Sequence, residues 1–146
     1  MKIRDRLAPT GRVAVRVYDT DGALIQLIKG KNLVVAGGRE ACAILAGSGD
    51  TDKIVNELQF GTSDTATNIA DTSVTSGFAK ALDSVAYPVA GKVRYIGSLE
   101  TSENNGVTIK EVGLFCADGT MFARYVIGSI AKTAAIRIEV TWDVTF

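Results

Sequence analysis

Residues 135–146 read AIRIEVTWDVTF. Ile136, Ile138, Val140, Trp142, Val144 and Phe146 fall on one side of this stretch. Arg137, Glu139, Thr141, Asp143 and Thr145 fall on the other. A period of two held this long predicts a β-strand with one face buried. On that reading Trp142 and Phe146 both point into the core.

The same period recurs upstream. Val107–Ala117 and Met121–Ile127 read as two strands joined by a tight turn at Asp118-Gly119. In the first of them Val112, Leu114 and Cys116 alternate inward while Glu111, Gly113 and Phe115 face out, and Gly113 leaves room for a close neighbour. Nearer the start, Val13, Val15 and Val17 oppose Arg12, Ala14, Arg16 and Tyr18. Asp19-Thr20-Asp21-Gly22 then makes a turn into a second strand over Ala23–Lys29. Strands are also expected at Ile54–Phe60, Phe78–Ala90 and Lys92–Leu99. Asn32–Val35 is a short apolar run ended by Gly37-Gly38. The one helix candidate is Arg39–Ala46, with Gly47 as its stop. The sum is an all-β chain of about eight strands with one short helix, an antiparallel β-sandwich or flattened barrel.

The chain has 146 residues, enough for one domain. Residues 11–146 are assigned to it, and residues 1–10 to an N-terminal arm carrying Lys2, Arg4 and Arg6. Thr62–Ser76 is a long polar stretch rich in Thr, Ser and Asp; it reads equally as an interaction loop or a tolerated surface excursion. The arm and this loop are the two segments least able to pack on their own domain. Lys2, Arg4, Arg6, Thr62, Asp64 and Thr72 are therefore the candidate assembly contacts.

Sixteen basic and sixteen acidic residues cancel. That balance argues against a general nucleic-acid or membrane-surface binder. No apolar run approaches the length of a membrane helix, and the N-terminus lacks a signal-peptide core, so the chain is expected to be made in a cytoplasm. There is no histidine, which removes the commonest general acid/base and metal ligand. Cys42 and Cys116 are far apart in sequence and read as buried thiols. Asp19–Gly22 fails the calcium-loop pattern, because Ala23 and Leu24 stand where a ligand and a glycine belong. Asp50 with Asp52, and Glu100 with Glu103, are the remaining carboxylate pairs, and both read as solvated turn residues. No cofactor, metal or catalytic residue is assigned, and the chain is not expected to be an enzyme.

One stretch carries a resemblance. Ile109–Arg124, IKEVGLFCADGTMFAR, resembles the I-x-E-I-G-L-F-x-x-D-G-T-L-x-A-R motif in the particle-attaching domains of phage tail-collar fibre proteins. Leu58–Ala66 is similar to the I-x-x-G-x-G-T-x-x-P/A segment of small phage virion proteins, with Ser63 in place of the second glycine. Lys132-Thr133 and the final strand follow in the same order; a fibre shaft, as in the family, is not expected. The resemblance implies a virion structural protein, made in the host cytoplasm, that assembles with other phage structural proteins and with its own copies. Its first implied place is the tail, at a baseplate, collar or fibre-attachment point. A capsid cement or decoration protein is the alternative. A carbohydrate-binding module is a third reading, opposed by the buried position expected for Trp142.

Overall fold

In the computed structural model, which describes residues 9–146, the expected all-β architecture is present. The strands are β1 (Thr10–Asp19), β2 (Leu24–Val34), β3 (Val55–Gly61), β4 (Phe78–Ala81), β5 (Ser84–Ala86), β6 (Lys92–Leu99), β7 (Thr108–Cys116), β8 (Met121–Ala131) and β9 (Ile136–Thr145). The helix α1 covers Ala36–Ser48, and a single 3-10 turn covers Thr51–Lys53. All strand pairings are antiparallel, in the order β4-β3-β7-β8-β2-β1-β9-β6-β5.

This single sheet curls so that its two halves share one core. The front leaf is β2-β1-β9-β6-β5 and the back leaf is β4-β3-β7-β8. Val13, Val15, Val17, Val140 and Trp142 of the front leaf meet Leu58, Phe60, Val112 and Leu114 of the back leaf. The leaves approach so closely that a Cβ on Gly97 of β6 would run into the Leu58 side chain of β3.

Two stretches pass from leaf to leaf and make the corners. β2 pairs with β1 along most of its length, and its last two residues, Leu33 and Val34, pair with β8. At the other end, Leu82 donates its N–H to Asn56 O on the back leaf (3.2 Å). The next residue, Asp83, donates to Ile96 O on the front leaf (2.7 Å). The outermost strands of the order, β4 and β5, are thus consecutive in sequence, and two residues span the gap between them. Sandwich packing and a sheet curled into a half-barrel are the same object here.

Several sequence boundaries shift. The second strand and the Asn32–Val35 run are one bent strand. Phe78–Ala90 is broken into two short strands by the corner at Leu82-Asp83. The helix begins before Arg39 and takes in Gly37 and Gly38. A Cβ on Gly38 would collide with the backbone carbonyl of Phe122, so the glycines let the helix lie directly on β8. It ends at Gly49 (φ 66°), not Gly47, with the Gly49 N–H returning to Leu45 O (3.0 Å). Phe146 lies past the end of β9 and is 59% exposed, whereas Trp142 is fully buried as the alternation requires.

Candidate functional site

The outward side of β7 is the first place where the sequence reading needs correction. Glu111, Gly113 and Phe115 do face away from Val112 and Leu114, yet they are not solvated. Glu111 and Phe115 are buried, 1% and 3% exposed, because residues 62–77 and the start of α1 cover that face. Phe115 packs with Val35, Met121 and Val74. Gly113 leaves the space expected of it: a Cβ there would sit 2.7 Å from the Phe115 ring and 3.2 Å from Val74.

Glu111 is the peg that holds the long loop. Its Oε2 accepts from Arg124 Nε on β8 (2.7 Å). Its Oε1 accepts the backbone N–H of Thr75 (2.6 Å) and of Ser63 (3.3 Å), from the two ends of the loop. Arg124 NH1 reaches Asp71 Oδ2 (3.1 Å), and the same oxygen accepts the Asn68 N–H (2.9 Å). A buried carboxylate is tolerated only when paired and hydrogen-bonded, and both conditions are met. Gly61 is part of the arrangement, since a Cβ there would strike the Glu111 carboxylate.

The three loop candidates sit at different places on this frame. Thr62 closes the base, its N–H donating to Thr75 O (3.0 Å). Asp64 is exposed, with Lys110 Nζ 3.8 Å away. Thr72 is exposed beside Asp71, at the rim of a shallow hollow lined also by Gly37, Asp118 and Thr120. The loop is thus fastened to its own domain at both ends while its crest, Asp64–Ala70, stays exposed. Lys2, Arg4 and Arg6 lie outside the described residues.

The other polar groups singled out in the sequence are fixed in local structure. Asp118 caps the β7–β8 turn, accepting from Thr120 N (3.0 Å), and pairs with Lys53 Nζ (2.7 Å). The Lys53 ammonium, helped by Thr120, holds the Asp118 carboxyl down at about 2. Glu103 takes both its oxygens to Lys80 Nζ (2.6 and 2.8 Å), which lowers its pKa, and Glu100 pairs with Arg137 (3.2 Å). Asp50 caps the 3-10 turn through Asp52 N (3.0 Å), and Asp19 caps the first hairpin through Asp21 N and Ala23 N (both 2.9 Å). Lys132, 1% exposed, donates to Asn105 Oδ1 (2.8 Å) and Thr133 O (3.0 Å) and ties two loops together. Burial lowers its pKa. Both cysteines are free thiols. Cys116 is buried, and burial pushes it to about 11; Cys42 is only half-buried.

Two apolar surfaces were not singled out in the sequence. One is the start of β2, where Leu24, Ile25 and Leu27 are 50%, 57% and 43% exposed. The other is a cleft of about 270 Å³ at the α1 end of the barrel. Cys42, Leu45, Ile54, Tyr87, Tyr95 and Phe146 are among its walls. The signal for the first was present: Leu24-Ile25-Gln26-Leu27-Ile28 is apolar with no strict alternation, so both sides of the strand carry apolar groups. The cleft joins six separate segments and has no linear signature. No protein-family model, no curated protein and no solved structure matches this chain.

Proposed function

We propose that this chain is a structural subunit of a phage particle, placed in the tail at a baseplate, collar or fibre-attachment point, and working by protein–protein contact without turnover. The observation that carries the reading is the apolar edge of β2. Leu24, Ile25 and Leu27 stand exposed on the first hairpin. Exposed apolar strand edges are an aggregation hazard that folded proteins otherwise blunt or cover, so one this long fits a surface completed by another protein.

The residues behind the resemblance fit a scaffold role. Glu111 and Arg124 fasten the long loop, Gly113 lets Val74 approach, and Asp118 with Gly119 shapes the turn. Each is spent on holding a surface in place. In this reading the loop crest around Asp64 and the cationic arm residues Lys2, Arg4 and Arg6 are contacts to neighbouring subunits.

The test is to image particles carrying a tagged copy of the chain as sole source. Label at the tail tip or neck is the expected result. Label spread over the shell would replace the tail by a capsid-decorating role. Purified particles free of the chain would overturn the virion reading altogether.

A further inference from the structure

The free side of β2 has a charge pattern that specifies its own partner. β1 lines one side of the strand from Leu24 to Asn32. On the other side only Leu33 and Val34 have a partner, in β8. Among the described residues, the backbone edge from Leu24 to Asn32 is therefore unpaired. Unpaired N–H and C=O groups in a row are a template for an added strand.

The charges along this edge are sorted by end. Lys29 and Lys31 stand exposed at one end. The turn Asp19-Thr20-Asp21-Gly22 stands at the other, with the Asp19 carboxylate rigidly bonded to the backbone of Asp21 and Ala23. Among the described residues, Asp19, Asp21, Lys29 and Lys31 belong to no ion pair. Between the two ends lie the apolar residues Leu24, Ile25 and Leu27.

We propose that two copies of this chain pair their β2 strands antiparallel about a two-fold axis, each Lys29–Lys31 end meeting the Asp19–Gly22 turn of the other copy. Centred on Leu27, such a pair sets Leu27 against itself, Ile25 against Lys29 of the second copy, and Ala23 against Lys31 of the second copy. Asp21 then lies two residues beyond, within reach of that lysine side chain. Parallel pairing would instead set lysine beside lysine and aspartate beside aspartate, which is repulsive. The arrangement is isologous, so it closes as a dimer and does not grow into a fibre. A strand pair alone lies at the low end of interface sizes, so the dimer is weak in isolation and gains from further contacts in an assembly.

The inference gives the proposed subunit its self-contact and rests on the assembly reading. It is tested separately from particle incorporation, by sedimentation of the purified full chain over a range of concentrations. The expected result is a concentration-dependent dimer. Leu27→Lys should raise its dissociation constant about tenfold or more. Asp21→Lys alone and Lys31→Asp alone should each weaken it, and the two together should restore it. All three positions are exposed, so circular dichroism and melting should be unchanged and a failure to fold would be visible. A monomer at every concentration, or a dimer indifferent to the charge swap, would overturn the proposal; the lysines would then merely guard the edge.

Discussion

Each leaf carries an arginine–carboxylate pair on its outward face, and the two pairs live in different worlds. On the front leaf Arg94 of β6 grips Asp143 of β9 through two bonds of 2.8 and 2.9 Å, with side chains 38% and 18% exposed. On the back leaf Arg124 of β8 holds Glu111 of β7 at 2.7 Å, with side chains 4% and 1% exposed. The chemistry is alike and the lengths nearly equal. What differs is the cover: residues 62–77 lie over the back leaf, while the outside of the front leaf faces solvent. An exposed pair contributes little because water competes for both partners. A buried pair is costly to break, because removing one partner strands the other charge.

The comparison breaks most sharply at Arg124. Arg124→Ala leaves Glu111 and Asp71 without their cation under the loop, and should cost about 3–5 kcal/mol in urea unfolding. The matching change on the front leaf, Asp143→Asn, should cost at most about 1 kcal/mol. Equal losses would show that the loop does not exclude water from Glu111.

Gly61→Ala tests the same site by volume while keeping every charge. Its Cβ would displace the Glu111 carboxylate from the loop backbone. Overpacking of this kind should cost about 1–3 kcal/mol. A melting temperature equal to the parent's would show that Glu111 has another place to go.

The smallest expected effect is at Asp118, exposed in the β7–β8 turn, and it sharpens the contrast through pH. Its hydrogen bonds from Lys53 and then Thr120 lower it from 3.8 to about 2 in the folded chain. A depressed carboxyl stabilises the fold fully above its unfolded value, and that contribution is lost as pH falls through the folded value. Asp118→Asn should therefore melt slightly lower than the parent at neutral pH, with the gap closing between pH 3.8 and about 2. A gap that persists in strong acid would assign the effect to the turn's shape and not to its charge.

Alternation made much of the fold legible. Val13, Val15 and Val17 in β1, Val112 and Leu114 in β7, and Val140 and Trp142 in β9 were readable as core from period alone, and all are buried. The turns at Asp19–Gly22 and Asp118-Gly119 were readable from their residues; the side-chain caps by Asp19 and Asp118 came only with the structure. The errors have specific causes. Gly37 and Gly38 look like a break, because glycine disfavours helices, but here contact with β8 requires them. Phe146 fits the period but lies beyond the last strand pair that could bury it.

Sequence by itself determined where most of the strands lie, which side of β1, β7 and β9 is apolar, and where the hairpins at Asp19–Gly22 and Asp118-Gly119 turn. A period of two and a turn signature are local, so they survive without knowledge of any partner. Only the tertiary structure decided the strand order, the corners at β2 and at Leu82-Asp83, and the fate of the polar side of β7. Alternation says which face is apolar and says nothing about whether the other face will be covered. Glu111 became a buried peg because backbone N–H groups from Ser63 and Thr75 fold back onto it across long sequence separations. Leu24, Ile25 and Leu27 stayed exposed because β8 leaves β2 after its last two residues, and no period in the sequence records where a neighbouring strand departs.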